Sequence, residues 1–199
     1  ELTHLAKCTR AGLLSTVREL PRHGDNSAEA HCKAMLKAMK CCVDTKDRGL
    51  KLQPNAKWDG SKNFEFETTG KADSTRASCP ETRRSVSGWS AHLNGAPCTR
   101  RSKMQKFVAL SVAEAECVAA TSCVQDMTHG KNFLESLGLK VKLPMTLHMD
   151  NKGGVDFLNN WSIAGNMRAV ATRFACLGEL KEQGILEMKW VPGAENNSD

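Results

Sequence analysis

The chain contains no apolar run long enough to cross a bilayer, no segment with the pattern of a signal peptide, and no internal repeat. These absences argue against a membrane span, an export leader and a solenoid. The expectation is an intracellular protein, cytoplasmic or nuclear, with no membrane partner. Nine cysteines are present, but their spacing excludes the usual uses. There is no C-x-x-C, no histidine pair at ligand spacing, and the total is odd. Several lie in helical apolar stripes and are expected to be core residues in a reducing compartment. The six histidines are scattered and read as structural; His148, two residues before Asp150 on one strand face, is the exception to watch. With 199 residues, the chain can bury one good core and carry a helical appendage. Its net charge of +6 suits a polyanionic partner without requiring one.

What the sequence does contain centres on residues 107–116, FVALSVAEAE. Ser111 followed by Glu114 forms a capping-box pattern and predicts a helix start. At ~100° per residue, Glu116 then shares a face with Val112, Ala119, Ala120, Cys123 and Met127. Glu114 falls on the opposite side, explained by capping and solvent. A carboxylate within an apolar stripe costs several kcal/mol unless it is paired or binds a metal. The plainer alternative is an edge glutamate whose carboxylate reaches water.

Three further acids stand near the ends of predicted strands. Residues 145–150, MTLHMD, alternate apolar and polar, which places Asp150 at the carboxyl end of a short strand. Site residues of α/β sheets gather there, and the plainer alternative is that Asp150 caps the helix that follows. Asp73 follows the strand-like residues 64–69, and the terminal Asp199 follows the strand-like residues 185–192. Carboxylates brought together from strand ends and a helix can cage divalent metal. Hard oxygen ligands suit magnesium, and two ions ~4 Å apart can hold both reacting oxygens of a phosphodiester.

Several segments together resemble the carboxyl-terminal part of copia-type LTR retrotransposon Pol polyproteins. Ala72-Asp73-Ser74 with residues 80–89, PETRRSVSGW, is similar to the family's first-strand Asp and hairpin. Ser102-Lys103-Met104-Gln105 with residues 108–116 resembles its S-K-x-Q and A-L-S-x-x-E-A-E signature. Asp150-Asn151-Lys152 resembles its D-N-x, and Trp190-Val191-Pro192 through Asp199 has the spacing of its last segment. The resemblance covers roughly residues 63–199. It implies an α/β RNase H-like fold, a mixed five-stranded sheet with flanking helices, and two-metal hydrolysis of the RNA strand of RNA–DNA hybrids. Asp73, Glu116, Asp150 and Asp199 would be the catalytic metal ligands, for two Mg2+ ions with Mn2+ as the alternative. The remainder of the polyprotein, including the reverse transcriptase, would be the partner.

Residues 1–58 fit the end of the family's reverse transcriptase, a helical remnant of its thumb and connection, with residues 59–199 as the RNase H-like domain. Leu13, Leu14, Val17 and Leu20 have helical spacing broken by Pro21. Asn26 and Glu29 suggest a second capping box, and Cys32, Met35, Leu36, Met39 and Val43 form the stripe of a helix ending near Gly49. The polymerase's paired-aspartate hairpin is absent from this chain, so polymerisation is not expected of it. The turn-rich residues 54–61 are the expected linker.

Arg83, Arg84, Arg100, Arg101, Lys103 and Lys106 form a basic run around the predicted hairpin. Together with Gln105 and Asn151 they are the candidate nucleic-acid contacts, tracking phosphates rather than reading bases. A solvated strand edge guarded by cations is the alternative. Departures from the family point another way. Thr75 stands where a second Asp is usual, Arg76 replaces an aromatic, and Arg168-Ala169-Val170-Ala171 departs from a K-H-I-D-like segment. No tyrosine is present. These changes leave open a catalytically silent, decayed domain that only binds nucleic acid.

Overall fold

The computed structural model describes residues 2–159, 168–193 and 196. The chain forms two compact units, Glu1–Leu52 and Gln53–Asp199.

The first unit is helical. Helix α1 spans Leu2–Cys8, α2 spans Leu14–Glu19, and α3 spans Glu29–Asp44, with 3-10 turns at Ala11–Leu13 and Leu20–His23. Pro21 stands in the second of these turns, where a missing N–H is harmless. The buried apolar residues are few: Ala6, Leu13 and Ala38, with Leu14, Val17 and Cys42 packed beside them. The predicted stripe of α3 is not the buried face. Leu36 is 61% and Val43 69% exposed, and Met35 and Met39 are also in solvent. Nor does Asn26 cap this helix. Ala28 occupies the cap position, and its N–H donates to His31 Nδ1 at 3.0 Å. The helix stops at Asp44 rather than near Gly49, where Thr45 Oγ1 bonds back to Cys41 O and Arg10 donates to Thr45 Oγ1.

The second unit is a five-stranded sheet with helices on one face. Its strands are β1 (Glu65–Thr75), β2 (Val86–Leu93), β3 (Ala96–Met104), β4 (Lys140–Met149) and β5 (Leu186–Trp190), in the order β3-β2-β1-β4-β5. The β1–β2–β3 pairs are antiparallel, and β1–β4 and β4–β5 are parallel. The helices are α4 (Val112–Ser136), α5 (Lys152–Asn159) and α6 (Arg168–Glu182). This is the mixed sheet with flanking helices that the resemblance implied. Residues 54–61, expected as a linker, lie within this unit; the Asn55 N–H donates to Asn94 O at 2.6 Å.

Alternation along the strands decides which face is covered. Ala72, Trp89, Ala91, Met145, Leu147, Met149 and Met188 point into one core with Cys117, Ala119, Ala120, Cys123 and Met127 of α4 and with Val155, Phe174 and Leu177. Gly70 lets α4 approach closely, because a Cβ there would lie 2.4 Å from Met127 Sδ. Cys117 and Cys123 of α4 are buried as expected, and so is Cys79, but Cys8, Cys32, Cys41, Cys98 and Cys176 are exposed, and none of the nine cysteines is in a disulfide. Among the described residues, no helix is long and apolar enough to cross a membrane.

Candidate metal and nucleic-acid site

Three of the four expected carboxylates meet. Asp73, Glu116 and Asp150 each offer one oxygen, and these atoms lie within 4.8 Å of one another. Asp73 comes from the last turns of pleat in β1, a strand that runs on to Thr75 instead of ending at residue 69. Asp150 directly follows β4, parallel to β1, so the two acids emerge side by side at one end of the sheet. Glu116 reaches them from the second turn of α4. Asp199 lies outside the described residues.

The beginning of α4 explains Glu116's position. Ser111 Oγ accepts the Glu114 N–H at 3.0 Å, as the capping pattern predicts. Glu114 does not face solvent, however. It is 6% exposed, because its carboxylate folds back onto the preceding loop and accepts the Leu110 N–H at 2.6 Å. Glu116 is 3% exposed. Ser74 holds one of its oxygens: both the hydroxyl, at 2.9 Å, and the backbone N–H, at 3.2 Å, donate to Oε1. The other oxygen, Oε2, is buried with no hydrogen-bond partner. Val112, predicted on the same stripe, is 45% exposed at the helix start.

Burial pushes the Glu116 carboxyl up to about 8, the negative charges of Asp73 and Asp150 add to the rise, and the Ser74 hydrogen bonds only partly offset it. An unpartnered buried oxygen beside two further carboxylates fits a divalent cation. The ligand set is all hard oxygen, one acid comes from each of three separate elements, and a cation would satisfy Oε2 while removing the repulsion.

Neighbouring residues fix this geometry. Asn151, not Asp150, caps α5, its Oδ1 accepting the Gly154 N–H at 3.0 Å, which leaves the Asp150 carboxylate free of that role. The Trp190 indole donates to the Asp150 carbonyl at 2.8 Å. Asn196 is buried and donates to Ala72 O at 3.0 Å, which sets this one residue next to the segment that carries Asp73. Sequence reasoning missed Ser74 and Asn196. Ser74's adjacency to Asp73 was a usable signal, whereas nothing local marks Asn196.

The candidate nucleic-acid residues separate. Arg83 and Arg84 are exposed in the β1–β2 connection, and Lys106 is exposed after β3. Arg100 and Arg101, adjacent on edge strand β3, point to opposite faces. Arg101 turns toward α4 and pairs with Asp126 at 3.2 Å, and Lys103 shares that side. Gln105 is 5% exposed and works inside the protein, donating to Ser87 Oγ at 2.8 Å and to Ala115 O at 3.0 Å. It ties the end of β3 to the first turn of α4, so its side chain is not presented to a phosphate backbone.

No family model matches the chain. It is 26% identical over 198 residues, its whole length, to a retrovirus-related Pol polyprotein from transposon TNT 1-94 of Nicotiana tabacum. It is 22% identical over 96% of its length to the corresponding polyprotein from transposon RE1 of Arabidopsis thaliana. The chain spans only 14% and 12% of those two relatives. A secreted RxLR effector protein of Plasmopara viticola is 28% identical over 63% of this chain and 82% of its own. Among solved structures, an RNase H1 isolated from compost aligns with 65% of this chain and 87% of its own, at 14% identity and a TM-score of 0.49. Over most of its length the chain is thus similar to copia-type retrovirus-related Pol polyproteins, and its sheet unit has the RNase H-like fold.

Proposed function

We propose that the sheet unit is a metal-dependent ribonuclease H that hydrolyses the RNA strand of RNA–DNA hybrids as part of a larger Pol polyprotein containing a reverse transcriptase. The observation that carries this reading is the convergence of Asp73, Glu116 and Asp150, with Glu116 Oε2 buried and unpartnered. These three side chains would hold divalent metal, Mg2+ by preference and two ions by analogy with the fold, with Mn2+ able to substitute and Asp199 as the fourth ligand. Bound there, divalent metal would supply water activation and stabilise charge at phosphorus, so no protein nucleophile would be needed.

The chain's own residues prepare the site. Ser74 clamps one Glu116 oxygen and leaves the other buried without a hydrogen-bond partner. Trp190 and Asn151 fix the backbone on either side of the Asp150 carboxylate. Arg83, Arg84, Arg100 and Lys106 are exposed cations able to meet phosphates, contributing affinity rather than sequence choice. The test is a labelled RNA–DNA hybrid incubated with the full chain and Mg2+ or Mn2+. Cleavage of the RNA strand that stops with a chelator and in Glu116→Gln is the expected result. No cleavage with either metal, or undiminished cleavage by Glu116→Gln, would leave a silent nucleic-acid-binding domain as the better account.

A further inference from the structure

Glu116 is held through one of its two oxygens, and the pleat of β1 decides which residue holds it. Ser74 stands two residues beyond Ala72, so both side chains face α4. From there Ser74 gives Glu116 Oε1 two donors, the hydroxyl at 2.9 Å and the backbone N–H at 3.2 Å. An ionised carboxylate has about two acceptor sites on each oxygen, so these two bonds fill Oε1. Oε2 keeps both of its own sites, and it is buried with no hydrogen-bond partner. The two oxygens of one side chain are therefore unequal.

A carboxylate can meet a divalent cation with one oxygen or with both. Ca2+ takes ~6–8 oxygen ligands at ~2.3–2.6 Å in flexible geometry and readily accepts both oxygens of one carboxylate. Mg2+ demands a near-octahedral shell at ~2.0–2.1 Å, and the narrow bite of a single carboxylate departs from the right angles of that shell. For Glu116 to use both oxygens, it would have to give up at least one Ser74 bond to Oε1. Losing such a bond at a buried carboxylate is costly, because little water is at hand to replace it. Glu116 is the buried member of the cluster, whereas Asp73 and Asp150 are half-buried, so the constraint falls on the most enclosed of the three acids.

We infer that Ser74 is a metal-selectivity residue: by filling Oε1 it makes Glu116 a one-oxygen ligand through Oε2, and so biases the Asp73, Glu116 and Asp150 site toward a small octahedral cation and against Ca2+. The inference rests on the metal-dependent reading above and deepens it, since it names a residue that sets which ion the site accepts. Ser74 acts through Glu116, which makes it a positioning residue and not a ligand.

The test is calorimetric titration of the full chain with Mg2+ alone and with Ca2+ alone, read as the ratio of the two affinities. The ratio cancels any change in stability or in how readily Glu116 loses its proton, since either moves both ions together. Ser74→Ala, which removes the hydroxyl and leaves the N–H, should raise Ca2+ affinity relative to Mg2+ by about three- to tenfold, the worth of one hydrogen bond. Ser74→Cys, close in size but a weak donor, should shift the ratio in the same direction and supplies the measurement if the alanine variant folds poorly. Ser74→Thr, which keeps a hydroxyl, should retain the wild-type ratio. An unchanged ratio in Ser74→Ala and Ser74→Cys, or an equal shift in Ser74→Thr, overturns the inference and leaves metal binding standing. Failure of the unmodified chain to bind either ion, or binding that Glu116→Gln leaves unchanged, overturns the metal-site reading and the inference with it.

Discussion

Helices α3 and α4 both carry apolar stripes, yet only one of them is buried. Over 16 residues α3 buries Ala38 alone, while Met35, Leu36, Met39 and Val43 face solvent. Along α4, Ala115, Cys117, Ala119, Ala120, Cys123, Val124 and Met127 are buried against the sheet. The helices differ in what lies beside them. A sheet offers α4 a wide apolar floor built from Ala72, Met145, Leu147 and Met149, whereas short helices and 3-10 turns give α3 almost none. Periodicity therefore identifies the apolar face of a helix but not whether anything covers it.

The contrast can be broken most readily in the two cores. Leu147→Ala should destabilise the sheet unit by about 2–5 kcal/mol, through lost burial and the cavity left behind. Leu36→Ala on α3 should stay within about 0.5 kcal/mol, as for other exposed positions. Urea unfolding of both variants checks this, and similar losses would show that the α3 stripe is covered after all.

Charge separates the two helices further, because α4 carries a carboxylate into its buried face and α3 does not. The folded-state pKa of Glu116 is raised, to about 8 from 4.5. Its burial penalty is thus absent below pH 4.5, grows as the unfolded chain ionises, and is complete above about pH 8. Metal-free protein should lose on the order of 2–4 kcal/mol of stability between those limits. In Glu116→Gln this pH dependence should flatten. A variant that keeps the slope would place the titrating group elsewhere.

The helix starts give the smallest effect. Ser111 caps α4 through its side chain, while Ala28 offers α3 no such bond. Ser111→Ala should cost about 1 kcal/mol. Ala28→Ser should stabilise α3 by a few tenths to about 1 kcal/mol. Thermal melts of the two variants should shift in opposite directions.

Much of the site was legible because its signals are local. Alternation in residues 145–150 identifies β4 and sets Asp150 at its end, and the Ser111–Glu114 pattern starts α4 at the right residue with Glu116 on the inner face. What escaped depends on contacts between distant segments. Glu114 is buried by the loop that precedes its helix, and Asn196 reaches Ala72 across 124 residues of chain. Arg100 and Arg101 look equivalent in the sequence but separate once strand pleating assigns them to opposite faces. The register between β1 and β4, which sets Asp73 beside Asp150, could not be foreseen, because register is a property of pairing and not of any one strand's pattern.

If Asp73, Glu116 and Asp150 form one metal site, metal binding removes a proton from Glu116. The direct measurement is calorimetric binding of Mg2+ or Mn2+ from pH 6 to 9 in buffers of different ionisation enthalpy. The predicted result is release of close to one proton at pH 6–7, with apparent affinity rising about tenfold per pH unit and levelling above pH 8. Glu116→Gln should bind more weakly and without that release. Proton-free, pH-independent binding by the unmodified chain, or no binding at all, would contradict the claim.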